Sequence, residues 1–348
     1  MRTKGFVAVI LITILVSACV DPYVIREGAV AVYPVMETTP VNSIEDAADD
    51  PAIWLNPDDP LKSLILGTDK KRGLAVYNLQ GEQVQFIERG RLNNVDLRKG
   101  VTIGRDEMTL AVATNRTDIT LDIFSIADNG RVSIIMSIPL SMEDPYGVCM
   151  GLDDEHGAHV FVNSREFEYE HWHLNPGNAL APEFIASWHL DSGPEGCAVD
   201  DVTQMLYIGE EDYGIWQMPA DGRRADEIAL LEANAVGNLT ADVEGMDVYR
   251  SDDGALYLVV SSQGDNSYAV YDLNDNNIYK GSFYIADRVD GTMDGVQETD
   301  GLSVTSAFLG PLYPEGMLVV QDGYNDLPTE NQNFKLVSWA DIKQALGL

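Results

Sequence analysis

A short polar signature recurs six times along this chain of 348 residues, each time leading into an apolar run rich in Val, Ile, Leu or Ala. The instances are Asp49-Asp50-Pro51-Ala52-Ile53-Trp54, Asn94-Val95-Asp96-Leu97, Tyr146-Gly147-Val148-Cys149-Met150, Glu195-Gly196-Cys197-Ala198-Val199, Glu244-Gly245-Met246-Asp247-Val248 and Asp300-Gly301-Leu302-Ser303-Val304. Counted from Asp50, Asp96, Tyr146, Glu195, Glu244 and Asp300, the spacings are 46, 50, 49, 49 and 56 residues. Each signature is followed, 16 to 22 residues on, by a polar turn between two further apolar runs. These turns carry Lys70-Lys71, Arg116, Arg165-Glu166, Glu210-Glu211, Gln263 and Asp322. Before the last ten residues no long stretch shows a 3.6-residue apolar period with caps; short runs alternate instead with Gly, Asp, Asn and Pro, which is an all-β pattern.

A repeat of about fifty residues holding three or four short strands marks a β-propeller, in which each blade is a small antiparallel sheet packed face to face on its neighbours. Six repeats predict six four-stranded antiparallel blades. A blade cannot bury both faces alone, so residues 37–348 are expected to close into one domain rather than two. Equivalent positions of the blades then share one end of the ring. This gathers Asp50, Asp96, Glu195, Glu211, Glu244 and Asp300 with Lys70, Lys71, Arg116 and Arg165 around a single mouth. So many carboxylates in one concavity repel unless a cation sits among them. An oxygen-only donor set, without a His/Cys cluster at ligand spacing, selects Ca²⁺ over zinc.

The chain carries 56 Asp and Glu against 22 Lys and Arg, a formal charge of -34. That excludes nucleic-acid binding through a general basic surface. Asp272-Leu273-Asn274-Asp275-Asn276 begins like an EF-hand loop, but Asn277 and Phe283 stand where that loop needs Gly and Glu, so it reads as a polar turn. No phosphate-binding glycine loop, no Arg-His-Gly run and no Cys-x5-Arg loop occurs. His156, His159, His171, His173 and His189 lie outside the recurring turns and read as structural or surface residues. Cys149 and Cys197 read as small buried residues or as one bridge.

Residues 1–18 combine Arg2 and Lys4, an apolar run from Phe6 to Val16, and small residues before Cys19. This reads as an export signal, too short for a comfortable membrane span. Val16-Ser17-Ala18-Cys19 resembles a bacterial lipobox, which implies a lipid anchor on Cys19, residues 19–36 as a tether, and a chain lipid-anchored to the cell envelope or extracellular. Asp21, second after Cys19 rather than first, favours the outer membrane.

The motifs Asp49–Leu55, Thr68–Tyr77, Leu92–Asp96, Thr114–Arg116, Glu210–Asp212, Ser261–Gly264, Glu298–Gly301 and Asn331–Lys335 together resemble the β-propeller phytases, also called alkaline or 3-phytases, over about Glu37 to Ile342. The resemblance implies a monomeric six-bladed enzyme that uses several Ca²⁺ ions to remove phosphate from myo-inositol hexakisphosphate, taken as its calcium complex. It implies phosphate contacts by Lys70, Lys71, Arg116 and Arg165, the last standing where other members carry Lys, with Gln263 as a further substrate contact. Tyr146, Glu166, Glu195, Glu211, Glu244 and Asp300 match active-site calcium ligands, with Asp294 and Asp322 near them; Tyr146, Glu166 and Glu211 also count with the catalytic set. Glu37, Asp49, Asp50, Asn94, Val95 (through its carbonyl), Asp96 and Asp242 match structural calcium positions, and Glu298 stands in place of an Asp. The expected reaction is direct attack by calcium-bound water, with no side-chain nucleophile. The competing readings are a phosphatase or phosphodiesterase of the same fold, or a calcium-stabilised propeller that only binds.

Overall fold

In the computed structural model, which describes residues 24–175, 177, 180–221 and 228–348, the innermost strands of the blades stand side by side around a central channel. They are Ala48–Trp54, Leu92–Ile103, Pro145–Leu152, Pro194–Asp200, Val243–Arg250 and Leu302–Thr305, and the last lies against the first, closing the ring. Each is the first strand of an antiparallel blade. The expected six-bladed β-propeller is the fold observed.

Closure draws on the N-terminus. Met36–Glu37 pairs antiparallel with Asn333–Ser338 and becomes the outer strand of blade six. Val30–Val32, inside the stretch read as a tether, adds a fifth strand, parallel to Ile278–Ile285, on blade five. The leader and Cys19 lie outside the described residues. Among the described residues no helix is long and apolar enough to cross a membrane. The C-terminal helix Trp339–Leu346 packs Trp339 and Ile342 into the apolar cluster between blades five and six. Among the described residues there are six such clusters, one between each pair of neighbouring blades, as stacked two-faced sheets require.

The recurring signature has a structural cause. In blades one to five the pairing of the first strand with the second slips at the same place, between Ala48 and Pro51, Leu92 and Val95, Pro145 and Val148, Pro194 and Cys197, and Val243 and Met246. Such a bulge re-aims side chains and frees backbone amides. The freed amides are recaptured by second-strand side chains: Asp50 N–H donates to Thr68 Oγ1 (3.0 Å), Asn94 N–H to Thr114 Oγ1 (3.2 Å) and Gly147 N–H to Asn163 Oδ1 (2.7 Å). At the second bulge position blades three to five carry glycine, and blade six carries Gly301 at the equivalent place, because the next blade's backbone is too close for a side chain. A Cβ on Gly147, Gly196 or Gly245 would lie 2.0, 2.1 or 2.7 Å from the carbonyl oxygen of Glu195, Glu244 or Asp300.

The innermost strands also expose an unpaired edge to the channel, and carboxylates from the preceding blade satisfy it. Asp50 accepts from Val95 N–H (3.0 Å), Asp96 from Met150 N–H (2.8 Å) and Asp247 from Val304 N–H (2.8 Å). Cys149 and Cys197, left open on sequence grounds, form a disulfide that ties blade three to blade four. Gly196→Ala should lower stability by about 1–3 kcal/mol through overpacking at the axis. Thermal unfolding measures this; an unchanged melting temperature would mean that the strands have room to separate.

Candidate active site at the mouth of the ring

In blades one to five the residue that follows the second strand is held by the same backbone bond. Its N–H donates to a carbonyl just before the bulge: Lys70 to Ala47, Arg116 to Arg91, Arg165 to Asp144, Glu211 to Gly193 and Gln263 to Asp242. The six signatures and these turns therefore meet at one end, around an open cleft of about 710 Å³ lined by Lys70, Tyr146, Arg165, Glu195, Glu211, Asp242, Glu244, Gln263 and Asp300. Asp49 lies just beneath it, fully buried.

The carboxylates are crowded. Asp49, Glu195 and Asp300 each place an oxygen within 4.8 Å of the other two, and so do Glu195, Glu211 and Glu244. Burial and the neighbouring negative charges hold Glu195 and Asp300 well above the ordinary carboxylate range. Burial pushes Glu211 to about 7, with Asp242 and Asp212 adding to it, and Glu244 to about 8, with Asp300 adding to it. Both Oδ atoms of Asp49, Glu195 Oε1 and Glu244 Oε2 are buried without a hydrogen-bond donor. Acceptor oxygens packed this way fit a hard dication, with protons shared between carboxyls as the alternative.

Four cations were expected here, and they differ in placement. Lys70 Nζ reaches Asp46 (2.7 Å), Asp49 (3.5 Å) and Asp300 (4.0 Å). Burial opposes its charge, yet Asp49, Asp300 and Asp46 outweigh burial and keep it protonated. Arg165 donates to Tyr146 Oη (2.9 Å) and lies over the tyrosine ring, 4.4 Å from its centre. Arg116 forks onto Asp144 (2.7 Å twice), donates to Asn93 Oδ1 and flanks the same ring at 5.3 Å. Lys71 and Glu166, one residue beyond the inward-pointing position, are exposed; Lys71 turns to the Ile44 carbonyl and Glu45 at the rim.

Other expected residues lie away from the mouth. Asp50, Asn94, Val95 and Asp96 line the narrow channel below it. Asp96 stands three residues past Asn93, the true counterpart of Asp49 in the bulge register, so it points down the channel and is bound by Arg98 (3.0 and 3.1 Å). Glu37, Asp294 and Asp322 gather around the buried Lys335 ammonium at 2.5, 2.5 and 3.2 Å. Burial raises Asp322 to about 7 even so, with Lys335 working against the rise. Lys335 was quoted in a motif but not assigned this role; an apolar strand interrupted by one lysine was the available signal. The rim residue Asp46, which takes Lys70 in an ion pair, was also missed.

The family model described as Phytase matches residues 3–348. This chain belongs to the phytase family. It is 37% identical over 352 residues to the 3-phytase of Bacillus subtilis, covering 97% of this chain and 91% of that protein. The expected hydrolase of phytase type is therefore upheld. Among solved structures, BBS1N in its complex with ARL6DN superposes with a TM-score of 0.50 at 10% identity, over 88% of this chain and 98% of that one, a likeness of fold alone.

Glu211 and Glu244 have folded pKa values raised above their ordinary value of 4.5. The stability they contribute is full below about pH 4.5 and lost as pH rises through about 7 and 8. In chelator the melting temperature should fall between pH 5 and 8, and the rise produced by added Ca²⁺ should grow over the same interval. Glu211→Gln should flatten part of that slope in differential scanning calorimetry. A calcium effect independent of pH would remove these carboxylates from the metal site.

Proposed function

We propose that this chain is an exported, calcium-dependent phytase that hydrolyses phosphomonoesters of myo-inositol hexakisphosphate at the mouth of the ring. The observation that carries the proposal is the pairing of Lys70 and Arg165 with a buried carboxylate cluster whose oxygens lack donors. Asp49, Glu195, Glu211, Glu244 and Asp300 would hold calcium, with Asp242 beside them. Bound calcium supplies charge neutralisation and Lewis acidity toward phosphate and water.

The chain's own groups do the rest. Lys70 Nζ, from blade one, and the Arg165 guanidinium, from blade three, present positive charge to the same cleft, suited to the oxygens of a transferring phosphoryl group. Arg116, clamped by Asp144 and backed by Tyr146, offers a second cationic subsite for a neighbouring phosphate of the same substrate. A cysteine or histidine nucleophile finds no support: Cys149 and Cys197 are joined, and the five histidines all belong to blade three rather than to the cleft. Phosphate neutralised by calcium suits a chain of formal charge -34 better than the bare polyanion, which the carboxylates would repel.

For export, the disulfide suits an oxidising compartment and Val16-Ser17-Ala18-Cys19 suits lipidation. Cys19→Ser should move the protein from the membrane to the soluble fraction on cell fractionation, and unchanged membrane association would refute the anchor.

Phosphate release from inositol hexakisphosphate should rise with Ca²⁺ and vanish with chelator. Lys70→Met should cut kcat/KM by on the order of 100-fold or more, as loss of an electrostatic stabiliser does, whereas Lys71→Ala should change it by no more than about threefold because its charge sits at the screened rim. Equal losses in the two variants would overturn the placement of Lys70 in the cleft as the phosphate contact. Release from simple aryl phosphates but not from inositol hexakisphosphate would point to another substrate for the same site.

A further inference from the structure

All five histidines of the chain fall between His156 and His189, within the stretch that builds blade three. Three of them touch one another. His159 on the second strand, Ala158–Ser164, stands directly across from His173 on the third, Glu168–Asn175, with ring centres 4.6 Å apart. His171 places Nε2 2.9 Å from His159 Nδ1 and stacks on Phe161, which fixes the angle of both rings. The first strand of the blade runs down from Tyr146 at the mouth and turns at 153–157, so this group lies at the opposite end of the ring from the phosphate cleft.

The fourth member is Asp153, and its two oxygens have separate tasks. Oδ1 accepts from the Glu155 and Gly157 amides (2.8 and 2.9 Å), which forms the turn. Oδ2 is left facing His173 Nε2 at 2.6 Å. The other His173 nitrogen is also partnered: Asn175 donates through Nδ2 to Glu183 Oε2 (2.9 Å), which leaves its Oδ1 turned to His173 Nδ1 (2.9 Å). Nε2 is thereby aimed at a carboxylate oxygen, with a hydrogen-bonded amide behind it, the support that orients a metal-binding imidazole. Position 157 is glycine, and a Cβ there would lie 2.7 Å from both Asp153 Oδ2 and His173 Nε2. The space in front of the pair is kept clear.

We propose that Asp153, His159 and His173 bind a first-row transition-metal dication such as Zn²⁺, at a site distinct from the calcium cleft. One ligand atom from each residue lies within 4.8 Å of the other two. Tetrahedral coordination at bond lengths of about 2.0–2.1 Å asks for separations of roughly 3.3 Å, which small side-chain rotations reach. Two imidazoles and one carboxylate favour borderline metals over Ca²⁺, the reverse of the preference at the mouth. Three protein ligands leave one position for water. The bound ion would clamp the 153–157 turn to the second and third strands.

The test uses untagged protein held in excess Ca²⁺, titrated with Zn²⁺ by calorimetry and with Co²⁺ by visible absorption. One equivalent of Zn²⁺ should bind, and Co²⁺ should give the intense bands of a tetrahedral nitrogen and oxygen site. Asp153→Asn, which can keep the turn bonds at Oδ1, and His173→Gln should each weaken Zn²⁺ binding by at least about tenfold, while His189→Gln should not. Calcium-dependent phosphate release by the same variants reports that they are folded. Absence of Zn²⁺ binding to the wild-type protein, or binding as tight as wild type in either Asp153→Asn or His173→Gln, would overturn the proposal.

Discussion

Six strands brought side by side around one axis have almost no space for side chains where they are closest, and most of this structure answers that crowding. The innermost strand of each blade has an unpaired edge that faces its counterpart in the next blade rather than water. Bulges break the pairing at one level, glycines let backbones pass within contact distance, and Asp50, Asp96 and Asp247 cap the amides left over. Apolar packing between blades supplies the driving force, but it is the axis that decides which residue types are tolerated there.

The same geometry creates the electrostatic problem that the site exploits. A bulge turns its first residue toward the mouth, and around the ring that position is acidic in Asp49, Glu195 and Glu244, joined by Asp300 at the equivalent place just before the inner strand of blade six. Lys70 offsets part of the charge. The rest is held by protonation or by a bound cation, and the raised pKa values of Glu211 and Glu244 express how close those alternatives lie at neutral pH. A site poised this way would exchange its protons for a dication, since the competing state is a proton rather than a fixed ion pair.

The blade count, strand content and the mouth as the meeting place of signatures and turns were legible in the sequence because they follow from a period. Facing was harder to read, since a strand reverses it at every residue. Counting from Asp96 instead of Asn93 ignored the bulge, which adds residues without adding register, so Asp96 was expected at the mouth and lies in the channel. Lys70 and Lys71 show the same effect: adjacent in sequence, one faces the cleft and the other the solvent. The histidines read as structural or surface residues because the group's members come from a turn and two strands whose cross-strand register only the fold supplies. The disulfide likewise depends on two inner strands of different blades meeting at the channel wall.

Lys335 shows that the fold solves its charge problem in two ways. Glu37 comes from the N-terminal strand that closes the ring, Asp322 from the second strand of blade six and Asp294 from the loop before that blade. Their three carboxylates converge on one ammonium that is itself wholly buried. The resemblance led to the expectation of Glu37 at a structural calcium position and of Asp294 and Asp322 near the active-site ligands, yet the chain already supplies a cation among them. One positive charge against three negative ones leaves the group under-neutralised, and Asp322 at about 7 reflects that balance. A covalently attached cation cannot leave, so here the charge serves closure, joining the first and last parts of the propeller. At the mouth, where substrate must enter and phosphate depart, the greater share of the neutralising charge is left to something that can exchange.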